Sequence, residues 1–196
     1  MEGGRNIGDL DGGDSLSGGM PKHLNCHRMA KPHLLNNLCV VFMKWVEKTR
    51  CIVEREGIEA ELFEHKEWGK DSRVVSAFLN VPLANVVKGL VCFSREGPLL
   101  VVVCGDERLD LDKLGRLTDV SVRLGRAKEV EGLGFEVGGV PAIGSGLRIF
   151  VDRKVLARSF IVGSAGSPYV GIRLKPSDLV RLNNATVADL SEEEES

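Results

Sequence analysis

The residue best placed to do chemistry is a lysine inside an apolar run, Asn85-Val86-Val87-Lys88-Gly89-Leu90-Val91-Cys92-Phe93. Such a run, rich in β-branched residues, reads as a strand. Alternation then puts Lys88 on one face with Val86, Leu90 and Cys92, and Gly89 on the other with Val87, Val91 and Phe93. A lysine is rarely buried unless it is paired or employed. Gly89 has no side chain and lets a backbone or a ligand approach beside it. Two readings stand: an edge lysine that snorkels to water, or a cation at a site. In the second, a lysine, backbone N–H groups and an ordered water suffice for attack on an activated ester.

Other kinds of chemistry find little in the sequence. No serine stands in a Gly-x-Ser-x-Gly elbow, and His65 is the one histidine after residue 42. Cys92 and Cys104 have no histidine partner evident in the sequence and read as small hydrophobes. Asp106, Asp110, Asp112 and Asp152 suit turns and helix caps, so no acid–base pair is located among them. Seven glycines lie between Gly125 and Gly146. Their spacing matches neither Gly-x-Gly-x-x-Gly nor a P-loop. Glycine-rich turns with exposed N–H groups are the better reading, and these can hold a carbonyl, an oxyanion or an RNA 3′ end. His65, at a strand end, reads as a loop histidine in solvent or a substrate contact.

These groups need a scaffold. Helical spacing of Trp45, Val46, Thr49, Ile52 and Val53 predicts a helix over Met43 to Gly57. A strand follows over Ile58 to Glu64, then a polar connection over 65–70. Asp71 or Ser72 caps a helix to Leu79, which Asn80-Val81-Pro82 ends. The lysine strand and Leu99 to Cys104 form a hairpin around Glu96-Gly97-Pro98. A short helix starts at Asp110 or Asp112. Val120 to Leu124 is a strand and Arg126 to Glu131 a helical turn. Further strands are expected over Leu147–Val151, Ser159–Val162 and Tyr169–Leu174, with a helical turn over Asp152–Leu156. Gly163 to Ser167 is expected as a small-residue loop. Pro176 to Leu182 is a helix with proline in its first turn, and Thr186 to Leu190 closes the domain.

Length and composition fit one soluble domain over 43–190, able to fold without disulfides or metal. Residues 1–42 read as disordered, or as a mis-assigned extension ahead of a start at Met43. His23, Cys26, His27, His33 and Cys39 cluster there, but their spacing matches no closed zinc pattern. Residues 191–196 read as a loose acidic tail. No run is apolar enough to span a membrane. Five scattered cysteines point to a reducing, cytoplasmic setting. The net charge of −2 argues against a constitutively basic nucleic-acid binder. Yet Val137 to Leu182 holds seven bases and two acids, a local +5. That excess is either a set of solvated faces or a phosphate-binding surface.

The order of four features resembles the YbaK family, related to the editing domain of bacterial prolyl-tRNA synthetase. They are the Lys88 strand, Gly105-Asp106-Glu107-Arg108-Leu109-Asp110, Gly138-Gly139-Val140-Pro141, and Ile161 to Ser167 before a last helix. The resemblance covers roughly residues 58–190 and implies an α+β fold: a mixed, mostly antiparallel, partly closed β-barrel with helices outside it. It also implies a metal-free, cofactor-free hydrolysis of mischarged aminoacyl-tRNA. The family's lysine falls on Lys88 and holds the substrate's backbone or terminal phosphate. Gly138, Gly139 and Pro141 form the loop at the aminoacyl carbonyl, and Ser164 and Gly166 the small-residue loop. The implied partners are the aminoacylated 3′ end of tRNA and, as a second candidate, an aminoacyl-tRNA synthetase, with no membrane. Three positions depart from the family: its loop proline falls on Ala142, a threonine or serine on Gly89, and an aspartate of some members on Gly171. Alanine, cysteine and proline adducts stay open, as does a module that binds tRNA or a synthetase without hydrolysis.

Overall fold

The computed structural model describes residues 45–66 and 71–193. The readings for residues 1–42, including the His/Cys cluster, lie outside them. In chain order the elements are α1 (Trp45–Glu56), β1 (Glu61–Glu64), α2 (Ser72–Leu79), a 3-10 turn (Leu83–Asn85), β2 (Val87–Ser94), β3 (Gly97–Cys104) and α3 (Leu111–Thr118). Then come β4 (Val122–Leu124), α4 (Ala127–Gly132), β5 (Arg148–Asp152), α5 (Arg153–Leu156), β6 (Ile161–Ser167), β7 (Val170–Leu174), α6 (Pro176–Asn183) and β8 (Thr186–Ala188).

The helix starts follow their caps. Asp71 accepts from the Arg73 N–H, Asp110 from the N–H groups of Asp112 and Lys113, and Asp152 from the Lys154 N–H. Each satisfies donors that a helix N-terminus leaves without partners. Pro176 opens α6, where its missing N–H costs nothing. Asn80, Asp119 and Asn184 end α2, α3 and α6 in the left-handed region, where short polar side chains are tolerated.

The strands form two sheets, ordered β1-β7-β6 and β4-β2-β3-β5-β8. The β2–β3 hairpin is antiparallel from Val87↔Cys104 to Ser94↔Gly97. β5 joins β3, and β8 joins β5, in parallel. One parallel bridge, Val86↔Val162, links the sheets. The mixed α+β class agrees with the sequence reading. The sheets do not close into a barrel; they meet at that bridge.

β3 explains the layering. Leu99, Val101 and Val103 pack into one cluster with Cys92, Leu114, Phe150 and Leu190. Leu100, Val102 and Cys104 pack into the other with Val87, Val91, Ile149, Ile161, Ile172 and Leu179. A strand buried on both faces reads as a continuous apolar run, as Leu99 to Cys104 does.

Two expectations are corrected. Gly163 to Ser167 is the second half of β6, not a loop. It pairs with β7 at Gly163↔Ile172 and Ser164↔Gly171, with a bulge before Ser167↔Val170. Small residues have weak strand propensity, and pairing overrides it. The first two residues of the expected tail are also built in: Ser191 is buried and bridges Leu109, and the Glu192 N–H donates to Arg108 O.

Candidate active site

A cavity of about 330 Å³ opens where the two sheets diverge from their shared bridge. Its floor is β2 from Val87 to Val91. One wall is the Val137–Ala142 segment and another is β6 at Val162 to Ser164. His65 and Ser72 lie on its lining, at the end of β1 and the start of α2. Valines and glycines dominate the lining. Among the described lining residues Lys88 is the one lysine, and there is no arginine, aspartate, glutamate or cysteine.

Lys88 is half-buried, and its Nζ donates to the backbone carbonyl of Glu107. Burial lowers its pKa. Asp106 and Glu107 push it back up, and Arg108 pushes it down. The Lys88 ammonium is thus held by the turn that follows β3, while the residue itself is part of the cavity lining.

Gly138 lines the cavity with φ +81, in the region that favours glycine. Gly139 lies against the next turn: a Cβ there would stand 2.8 Å from Pro168 Cδ. Pro141 is buried, and it is Ala142, where the resemblance expects proline, that reaches the lining. Ala142 is pinned on both sides of its peptide. Its N–H donates to Ser164 O at 2.8 Å, and its carbonyl accepts from Asn183 Nδ2 at 2.9 Å. Asn183 Oδ1 accepts from the Gly144 N–H at 3.2 Å. The end of α6 therefore ties down this wall through one amide side chain.

Ser164 lines the cavity, and its hydroxyl works within the bulge, donating to Ser167 O and accepting from the Gly166 N–H. Gly166 is not a lining residue. It packs under α1, where a Cβ would lie 2.3 Å from Trp45 Cβ. Trp45 Nε1 in turn donates to Gly134 O at 2.7 Å, so α1 braces β6 and the glycine-rich segment together. Of the residues singled out from sequence, Lys88, Gly138 and Ser164 meet at the cavity. Gly139, Pro141 and Gly166 stand behind its walls.

Two positions gain a reason. Gly171 lines the cavity, and a Cβ there would fall 2.4 Å from Phe63 Cζ. The Phe63 ring therefore takes the space that an aspartate would need. At Gly89 a Cβ would meet Leu100 Cδ1 at 3.4 Å, an ordinary contact, so its absence enlarges the cavity. His65 is a cavity residue, with its ring centroid 6.1 Å from that of Phe63 and 6.3 Å from that of Phe78. Its strand-end place in the sequence left this open.

Cys92 and Cys104 are held as thiols away from the cavity. Burial pushes the Cys92 thiol up to about 12 and raises that of Cys104, and neither lines the cavity. Among the described residues no group of three His, Cys, Asp or Glu is placed to hold a metal. The +5 segment resolves largely into ion pairs. Arg148 meets Glu96, Arg153 meets Asp189, Lys154 meets Glu107, Lys175 meets Glu59, and Arg181 meets Glu56 and Asp178. That favours paired faces over a continuous phosphate-binding surface. Among the described residues no helix is long and apolar enough to cross a membrane.

Residues 66–182, more than half of the chain, match the aminoacyl-tRNA editing domain family. A solved structure described as a candidate trans-editing enzyme for prolyl-tRNA synthetase superposes with a TM-score of 0.69 at 29% identity, covering 76% of this chain and 98% of that one. An Enterococcus faecalis protein described as a candidate Cys-tRNA(Pro)/Cys-tRNA(Cys) deacylase, EbsC, is 26% identical over 77% of this chain and 98% of its own length. The proline–tRNA ligase of Thermosipho africanus is 34% identical over 48% of this chain. The match spans only 18% of that ligase.

Proposed function

The chain belongs to the aminoacyl-tRNA editing domain family, and from that premise we propose that it is an aminoacyl-tRNA deacylase acting on mischarged tRNA. The amino acid side chain enters the apolar cavity between β2 and β6. The Gly138–Ala142 wall lies along the aminoacyl carbonyl, with the pinned Ala142 peptide keeping its shape. The Lys88 ammonium holds the substrate's backbone or the phosphate of the terminal nucleotide. Water adds to the ester carbonyl, and the tetrahedral intermediate expels the ribose oxygen, which takes the proton. The products are a free amino acid and a tRNA with a free 3′-terminal hydroxyl.

One observation carries this reading: a mostly apolar cavity with one held ammonium at its edge and a glycine-rich wall. That is how a site looks when it selects an acyl group and leaves proton transfer to substrate and water. The partners it requires are an aminoacylated tRNA 3′ end and, during editing, a synthetase that releases or shares that tRNA. Incubation with a panel of mischarged tRNAs in the presence of a chelator tests it. Release of amino acid from at least one of them is expected. Binding of tRNA with no release from any would leave the non-hydrolytic module in its place.

A further inference from the structure

The turn after β3 is locked onto the start of the lysine strand. The Glu107 N–H closes it on Cys104 O at 3.1 Å. Gly105 approaches the preceding backbone so closely that a Cβ would lie 2.6 Å from Leu83 O and 2.9 Å from Val86 O. Within this turn Glu107 serves two lysines. Its backbone carbonyl accepts from Lys88 Nζ, and its carboxylate accepts from Lys154 Nζ at 2.7 Å.

The Lys154–Glu107 pair is, with Lys113–Asp189, among the more buried ion pairs of the described residues. Its side chains are 32% and 14% exposed, against 56% and 82% for Lys175 and Glu59. Withdrawing a pair from water is costly, so geometry must be well held for it to persist. Here it is held. The Lys154 N–H donates to Asp152 Oδ1 at 2.8 Å, and Asp152, fully buried, accepts from the Leu190 N–H through Oδ2 at 2.7 Å. A continuous chain of contacts thus runs from the buried Asp152 through Lys154 and Glu107 to Lys88. Neither Glu107 nor Lys154 lines the cavity.

The structure assigns Glu107 and Lys154 as positioning residues for Lys88: the clamped carboxylate fixes the turn whose carbonyl holds the ammonium at the cavity. The clamp itself stands on geometry alone, and its effect on catalysis rests on the deacylase reading above.

The groups facing Lys88 give the clamp a signature. They are Cys104, Asp106, Glu107 and Arg108 from β3 and its turn, with Lys154 opposite Glu107 from α5. Burial is the largest influence and lowers the Lys88 pKa; Asp106 and Glu107 raise it. Glu107→Gln removes an anion beside the ammonium, so Lys88 must lose its proton at lower pH than in the wild type. Lys154→Met strips the same anion of its counter-charge, so Lys88 must lose its proton at higher pH. Lys154→Arg keeps the charge and should leave the titration in place.

The test follows the Lys88 Cε resonance against pH in full-length protein carrying ¹³C-lysine, assigned by its absence in Lys88→Ala. The opposed shifts of Glu107→Gln and Lys154→Met are expected, together with about a tenfold fall in kcat/KM for each and recovery to within about twofold in Lys154→Arg. Melting temperatures read alongside exclude unfolding, and the more exposed Lys154 keeps the test open should Glu107→Gln fail to fold. A Lys88 titration identical in all folded variants overturns the clamp. A wild type that deacylates, with both variants equally fast, overturns the positioning role. A wild type with no deacylase activity overturns the deacylase reading, while the opposed titration shifts would still establish the clamp.

Discussion

The two faces of the β4-β2-β3-β5-β8 sheet are built from similar residues and end in different states. On one face Leu99, Val101, Val103, Leu114, Phe150 and Leu190 fill the space. On the other, Val87, Val91 and Val102 belong to the core and also line a cavity of about 330 Å³. What separates them is the opposing surface. The filled face meets α3 and the segment after β8, which bring Leu114 and Leu190. Around the cavity the other, hollow face meets valines interrupted by Gly138, Ala142, Gly163 and Ser164, which bring little side-chain volume. The site is therefore made by what the walls omit, and its shape depends on how firmly those walls are held.

Removing bulk from the filled face should have the largest effect on stability. Phe150→Ala empties a fully buried position and should cost about 3–5 kcal/mol, read as a fall in melting temperature or denaturant midpoint. Deacylation per folded molecule should stay near the wild-type value. Equal losses of both would mean that the faces are not independent.

Adding bulk behind a cavity wall should do the reverse. In Gly139→Ala the new methyl meets Pro168 at 2.8 Å, so the wall must shift. About 1–3 kcal/mol of stability should be lost, with a larger fractional loss of kcat/KM. Unchanged kinetics would show that the wall's position does not matter to the reaction.

Cutting the tie from α6 comes next. Asn183→Leu strands the carbonyl of Ala142 and the N–H of Gly144. Leaving such groups without partners costs about 1–3 kcal/mol unless water enters. KM for the mischarged tRNA should rise more than kcat falls; an unchanged KM would remove Asn183 from the wall's support.

The smallest effect belongs to the surface. Arg123 and Arg126 hold the Glu129 carboxyl down to about 2, mainly through the Arg123 hydrogen bonds. A depressed carboxyl stabilises the fold above its ordinary value of 4.5 and loses that contribution as pH falls toward 2. Melting temperature against pH should therefore be slightly flatter across that window in Glu129→Gln than in the wild type. Parallel curves would show the pair to be inert, as many surface pairs are.

Much of the fold was legible in the sequence because its signals are local. Apolar runs around a turn mark the hairpin, and Asp71, Asp110, Asp152 and Pro176 mark helix starts. The hollow face was harder to read. Gly163 to Ser167 carries little strand propensity, so its place in β6 follows from pairing with β7 and from packing under Trp45. The ordered motifs pointed to Lys88, Gly138 and Ser164, which do meet at the cavity, but a one-residue offset put Ala142 on the lining where Pro141 was expected. The strand-end place of His65 left open whether it faced solvent or a substrate, and only the fold puts it on the lining. The Lys154–Glu107 contact joins residues 47 apart in the chain, which no local spacing encodes.

The most direct measurement is single-turnover release of amino acid from the most reactive mischarged tRNA of the panel, by wild type and Lys88→Ala side by side, with melting temperatures recorded. Release by the wild type is expected, with at least about a hundredfold slower release by Lys88→Ala, at nearly equal melting temperatures. Equal rates from two equally folded proteins would remove Lys88 from the site.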